Sequence, residues 1–125
     1  MRPFAITKRE TYAVVLKDDE AVPEPERMTF RCRTLTGGER LAVLRLLAPA
    51  ADGKAGTFIA TLDACRAACE YALVGWERVA DQDGKSTPWP GSGARAVDLC
   101  PPSALLEIGQ EIIRRSELGG AEAKV

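Results

Sequence analysis

Four cysteines, four serines and no histidine bound the chemistry open to this chain. Histidine is the side chain that titrates near neutrality unaided, so its absence rules out Ser-His-Asp and Cys-His catalysis. Ser86, Ser92, Ser103 and Ser116 also stand outside any nucleophile-elbow pattern. Cys65 and Cys69 are four apart, which on a helix puts both thiols on one face, as two metal ligands would require. Cys32 and Cys100 are the thiols left to complete a four-thiolate zinc site. Structural zinc draws on short knuckles, whereas these outer spacings exceed thirty residues. The sequence therefore favours reduced thiols packed as small apolar core residues, with no metal and no cofactor.

Three short patterns come close to known chemistry and fall short. Gly84-Lys85-Ser86 matches the end of a phosphate-binding loop, but Val79 stands where that loop needs a glycine. Gly91-Ser92-Gly93-Ala94-Arg95-Ala96 fits G-x-G-x-x-A, yet it follows a proline-rich stretch instead of a strand, so turn glycines are the better account. Asp81-Gln82-Asp83-Gly84 resembles part of a calcium loop, with Pro90 where the closing glutamate should be. As paired catalytic acids, Asp81 and Asp83 lack anything that desolvates them or separates their pKa values, and a tight solvated turn is the reading adopted.

The elements that must carry these residues belong to an ordinary globular chain of 125 residues, 46% hydrophobic and 28% charged. That length suits one domain over 1–125 and a core that needs no disulfide or metal staple. Lysine and arginine number 17 against 18 acids; residues 1–63 carry ten bases and nine acids, and 64–125 carry seven and nine. Neither half has the footprint of a nucleic-acid binder. No run approaches the ~18 apolar residues of a membrane span, and the first ten residues lack the apolar core of a signal peptide. A cytoplasmic protein with an unprocessed start is expected.

Thr11–Lys17 is β-branched and aromatic, and Met28, Phe30 and Cys32 alternate with Thr29, Arg31 and Arg33, so two strands form a hairpin over about 11–35. The acidic stretch 18–26, with Pro23 and Pro25, joins them. Thr36-Gly37-Gly38-Glu39 is a capping box that starts a first helix, with Leu41, Leu44 and Leu47 as its apolar stripe, Val43 close by and Pro49 as its stop. A second helix over about 57–74 presents Phe58, Leu62, Cys65, Cys69 and Leu73, its alanines leaving it slim enough for close neighbours, with Gly75 as terminator. Trp76-Glu77-Arg78-Val79 reads as a short extended piece after Gly75, with Trp76 as core. A brief helical turn over 94–99 precedes a last helix that starts at the prolines 101–102, carries Leu105, Ile108, Ile112 and Ile113 on one side, and ends at Leu118-Gly119-Gly120 before a frayed tail over 119–125. The expected class is α+β: an N-terminal β-hairpin packed on a mainly helical part, about 36–118, of about three helices.

Charge is segregated near the hairpin. Residues 18–26 hold five acids, while Arg27, Arg31, Arg33, Arg40 and Arg45 face a single Glu39 across 27–45. These charges either neutralise one another in solvent or form a polar docking surface for another protein, with Trp89 as its anchor. Arg31, Arg33, Arg40, Arg45 and Trp89 are the candidate partner-binding residues.

From about Phe30 to Lys124 the order of motifs resembles the tail assembly chaperones of long-tailed bacteriophages: Leu35-Thr36-Gly37-Gly38-Glu39-Arg40 at a helix start, Gly75-Trp76 followed by Val79, Asp81, Asp83 and Gly84, and a last helix closing on Ser116 and Leu118. The resemblance implies a non-enzymatic protein of the bacterial host cytoplasm that binds the tape-measure protein and keeps its apolar surface soluble until tail-tube protein polymerises around it. It further implies absence from the finished virion, a longer frameshifted product and self-association into homo-oligomers along the tape measure. A structural phage protein, such as a head-tail adaptor or minor tail component, or a generic interaction domain is the alternative.

Overall fold

The computed structural model describes residues 9–47 and 54–122, and the side chains among them at 9–47 and 58–116. The hairpin forms as β1 (Thr11–Val14) and β2 (Thr29–Arg33), antiparallel with Tyr12 opposite Cys32 and Val14 opposite Phe30. These inward positions alternate with outward Thr11, Ala13, Arg31 and Arg33, as a half-buried sheet requires. The acidic connection folds into two 3-10 turns, Lys17–Asp19 and Glu24–Glu26. Arg27 ties it back, its guanidinium donating to the carbonyls of Val22 and Glu20 at 3.1 Å each.

The helical part comprises α1 (Gly37–Leu47), α2 (Lys54–Ala72), α3 (Gly93–Leu99) and α4 (Pro102–Glu122), so the α+β class is present with four helices where about three are expected. The capping box closes as anticipated: Thr36 Oγ1 accepts from the Glu39 amide at 3.2 Å and Glu39 Oε1 accepts from the Thr36 amide at 3.0 Å. The stop at Pro49 lies outside the described residues. α4 begins at Pro102, where a missing N–H costs nothing, and continues through Gly119 and Gly120 to Glu122. Glycine costs a helix roughly 1 kcal/mol without forbidding it, and the expected stop at 118–120 is corrected accordingly. Residues 123–125 of the expected frayed tail are not described. No helix among the described residues is long and apolar enough to cross a membrane.

The main departure from expectation is that the extended piece expected over 76–79 is a full third strand that starts earlier, at Leu73, and joins the sheet. α2 ends at Ala72, and Leu73–Glu77 pairs antiparallel with β2 as β3, giving the sheet order β1-β2-β3. Gly75 is therefore a strand residue, lying against the Arg31 side chain, and not a helix stop. The spacing of Cys69, Leu73 and Trp76 is helical, which extends the apparent helix too far. A register shift opposite Arg31 and Cys32 pairs Gly75 with Arg31 and Leu73 with Cys32, leaving Val74 as the extra residue. A bulge of this kind lets Leu73 and Trp76, three apart, both face inward from a strand.

α2 is the hub of the core. Ala64, Cys65, Ala68, Cys69 and Ala72 are fully buried on it, and these small side chains let neighbouring backbones come close. At Gly109 of α4, an added Cβ would stand 2.6 Å from Cys65 Cα and 2.7 Å from its carbonyl oxygen. At Gly93, the first residue of α3, it would stand 2.5 Å from the Glu70 carbonyl at the end of α2. Ser92 caps α3, its Oγ accepting from the Arg95 amide at 3.3 Å. Glycine in this G-x-G-x-x-A stretch thus serves helix-to-helix approach. Ser116 is buried on α4, donating to the Ile112 carbonyl at 2.9 Å and accepting from the Leu35 amide at 3.3 Å, which fixes the base of α1 to α4.

Cys32, Cys65 and Cys69 are buried in this core and Cys100 is half-buried at its margin, all as free thiols. Burial pushes Cys32 up to about 12 and Cys65 up to about 11. Cys69 rises further, first from burial and then from the nearby Cys32, Cys65 and Cys100, and it donates to the Leu105 carbonyl at 3.8 Å. Among the described residues no group of three or more His, Cys, Asp or Glu is placed to hold a metal ion.

Two outcomes follow from this packing. Gly109→Ala costs about 3 kcal/mol in urea unfolding, because backbone and not a flexible side chain meets the new methyl; Gly38→Ala, with nothing within 4 Å, is neutral or stabilising by up to ~1 kcal/mol. Equal effects of the two substitutions would refute the close approach. The thiols' contribution to stability is also flat below about pH 8 and falls as pH rises towards 11. The unfolded chain ionises its thiols near 8.5 while the folded chain keeps them protonated, a loss of about 1.4 kcal/mol per pH unit per ionised thiol. Urea unfolding at pH 7.5, 9.5 and 10.5 measures the slope, and Cys32→Ala makes it shallower.

Candidate functional site

The candidate arginines divide between two elements. Arg31 and Arg33 lie two apart on the outer face of β2. The Arg31 guanidinium donates to Glu77 Oε1 of β3, with Nη2 at 2.5 Å and Nε at 2.9 Å, and holds that carboxyl below the usual carboxylate range. Arg33 donates Nε and Nη2 to the Tyr71 carbonyl at 3.1 and 3.0 Å, satisfying an acceptor in the last turn of α2. Arg40 and Arg45 belong to α1. Arg40 is half-buried, its Nε enclosed with no hydrogen-bond partner among the described residues, while Arg45 is exposed. The five acids of 18–26 make no ion pair with these arginines among the described residues.

Trp89 packs inward. Its ring meets Trp76 edge-on at 5.2 Å between centroids, and Trp76 in turn meets Phe30 edge-on at 6.2 Å. Trp76 is buried, as expected, and its Nε1 donates to the Thr87 carbonyl at 2.9 Å. Trp89 therefore covers an aromatic stack, and half-buried there it offers a partner little of its face. The neighbouring turn is built from the acids singled out in the sequence. Asp81 Oδ1 accepts from the amides of Asp83 and Lys85 at 2.9 Å each, and Gly84 takes φ +79°. That is an Asx-type turn, and it gives Oδ1 of Asp81 a structural role in the loop.

The exposed apolar surface lies elsewhere. Leu41, Leu44 and Leu46 of α1 are 49%, 38% and 39% exposed, and Phe58 and Ile59 of α2 are 58% and 59% exposed. Leu41 and Leu44 thus correct the inward stripe expected of α1, and Phe58 the one expected of α2. Val43 is fully buried and Leu47 half-buried in their place. The reason lies in composition: Leu41, Ala42, Val43, Leu44, Leu46 and Leu47 set apolar groups around most of the helix, while among the described elements α1 packs chiefly on α2. A helix apolar on most sides is normally covered on most sides. Its base is held by the capping box, by Ser116 and by Arg9, whose Nη2 pairs with Glu39 Oε1 at 2.7 Å. Leu46 and Ile59 are the residues that stripe counting missed. The signal that finds them is the excess of apolar positions over the third of a helix that one neighbour can bury.

Two hollows accompany this surface. An apolar one of about 300 Å³ opens beside the aromatic stack, lined among others by Leu16, Met28, Leu99 and Cys100. A polar one of about 600 Å³ runs between β1 and α4. Beside it Arg115 lies over the Tyr12 ring, 4.3 Å from its centroid. Compared with known proteins, the chain matches no family model, and no curated sequence or solved structure is significantly similar to it.

Proposed function

We propose that this protein is a non-enzymatic assembly chaperone of phage tails that binds the tape-measure protein in the host cytoplasm and keeps it soluble. The observation that carries the reading is the group of exposed apolar side chains on α1 and the start of α2, Leu41, Leu44, Leu46, Phe58 and Ile59. An amphipathic helix of a partner can lay its own apolar face on such a surface, removing both from water. Leu41 and Leu44 are 49% and 38% exposed, so covering what remains of them contributes about 1–3 kcal/mol together, roughly tenfold or more in affinity. Release needs no chemistry. Tube subunits that bind the same face of the tape measure displace the chaperone by mass action. The motif order supports this reading as well, because its residues hold the surface in place: Leu35, Thr36 and Glu39 fix the base of α1, and Ser116 joins that base to α4.

The test is co-expression with the tape-measure protein encoded beside it. The wild-type chain should hold that protein in the soluble fraction and co-purify with it, while Leu41→Gln/Leu44→Gln folds normally and binds at least tenfold more weakly. Wild-type chain that leaves the tape measure insoluble and unbound, or a double variant that binds equally well, refutes the reading.

A further inference from the structure

Phe30 of β2 and Trp76 of β3 form one wall of the apolar hollow of about 300 Å³. Leu16 and Met28, on either side of the acidic connection, and Cys100 and Ala104, at the junction of α3 and α4, help to close it. Its volume is about twice the ~150 Å³ at which a leucine-lined cavity takes up benzene, so a molecule of two fused rings fits. Water gains little there, because apolar walls offer it few partners. Phe30 and Trp76 already meet edge-on at 6.2 Å, and a further aromatic ring extends that arrangement, with the Met28 thioether as a soft contact. Leu99, 58% exposed beside the hollow, is covered by the same occupant.

The walls all come from described residues, and the described chain leads away from the hollow wherever it continues. Arg9 stands at the other end of β1 from Leu16, tied to Glu39 at the base of α1. Lys54 begins α2 roughly 28 Å along that helix from its end at Ala72, and Glu122 lies roughly 30 Å along α4 from Pro102. The surroundings of the hollow are acidic. The connection between Leu16 and Met28 holds five acids against Lys17 and Arg27, and Asp81 is part of the lining. Among the described residues none of these carboxylates belongs to an ion pair. Both bonds at Asp81 Oδ1 come from uncharged amides, so its negative charge is not neutralised.

We infer that this hollow is a binding site for a small aromatic amine, whose rings enter beside Phe30, Trp76 and Met28 and whose ammonium group stays at the mouth, in the field of Asp81 and the acidic connection. Burial of the rings supplies most of the affinity, and the field supplies the choice of sign. An aromatic acid of the same size meets that field with the wrong charge, and an aliphatic amine forgoes the ring contacts. The site is separate from the apolar surface of α1 and stands whichever partner that surface takes.

Tryptamine, tryptophol and indole-3-acetate share one ring system and differ in charge, and NMR titration of each into the full chain at pH 7 and low salt tests this. Tryptamine should bind with a Kd of about 1 mM or tighter, about threefold more tightly than tryptophol and about tenfold more tightly than indole-3-acetate. The Trp76 indole N–H and the amides of Cys100 and Ala104 should shift, and those of α1 should not. Asp81→Asn keeps the oxygen that the turn uses and removes the charge, so it should narrow the preference for tryptamine over tryptophol while leaving tryptophol binding unchanged. Ala104→Leu fills the hollow and should weaken tryptamine about tenfold. Should that variant unfold, the positions of the shifted signals in the wild-type chain decide in its place. Absence of saturable binding, shifts confined to other parts of the chain, or a folded Ala104→Leu that binds equally well overturns the inference. So does tryptophol or indole-3-acetate binding as tightly as tryptamine, or a preference that Asp81→Asn leaves unchanged.

Discussion

Where α4 crosses α2, the backbone of Gly109 lies against Cys65 with no room between them for a methyl group. Helices that meet at this separation need small residues on the shared face, and α2 supplies Ala64, Cys65, Ala68, Cys69 and Ala72, each fully buried. The same slim helix receives the first residue of α3 at its last turn and then runs directly into β3 at Leu73. Sheet, α3 and α4 are thus all positioned by one element. The thiols belong to this arrangement: they are as small as the approach demands, and their burial disfavours the thiolate that metal binding or nucleophilic attack would require.

How far the sequence discloses this depends on whether a signal is local. The capping box at Thr36 and Glu39, the hairpin alternation around Phe30 and Cys32, the Asp81 turn and the proline start of α4 are local, and each is legible from residue types within a few positions. β3 is not. Leu73 and Trp76 keep helical spacing, and only pairing with β2 through a bulge turns that spacing into a strand. Likewise Gly75 and Gly119 look like helix stops because glycine disfavours helices everywhere, yet tertiary pairing decides the first and the cost is too small to decide the second.

The candidate site was legible in part for a related reason. Arginine content marks where positive charge lies along the chain but not what it touches, and Arg31 and Arg33 are engaged by Glu77 and the Tyr71 carbonyl. Exposed pairs of this sort contribute little to stability, so they organise the outer face of the sheet more than they hold it. Trp89 shows the same limit. A tryptophan between prolines in a loop reads as a free anchor, whereas the edge-on contact with Trp76 draws it onto the core. What composition did contain was the surplus of leucine on α1, which exceeds what a single neighbouring helix can cover.

That surplus carries a cost which the fold handles through α1's attachment. An apolar helix packed on one neighbour gains little from burial and risks detaching, which would expose Val43 and the alanines of α2 as well. Its N-terminal end is therefore held by directed polar contacts: two reciprocal capping bonds, the Arg9–Glu39 pair, and the Leu35 amide on buried Ser116. Directed bonds fix orientation without covering the leucines, which hydrophobic packing could not do. Val43 and Leu47 hold the inner side of α1 on the core, and the polar contacts fix its N-terminal end, so the outer leucines are left presented. Burial of the helix in the chain's own core would give greater stability and remove the surface.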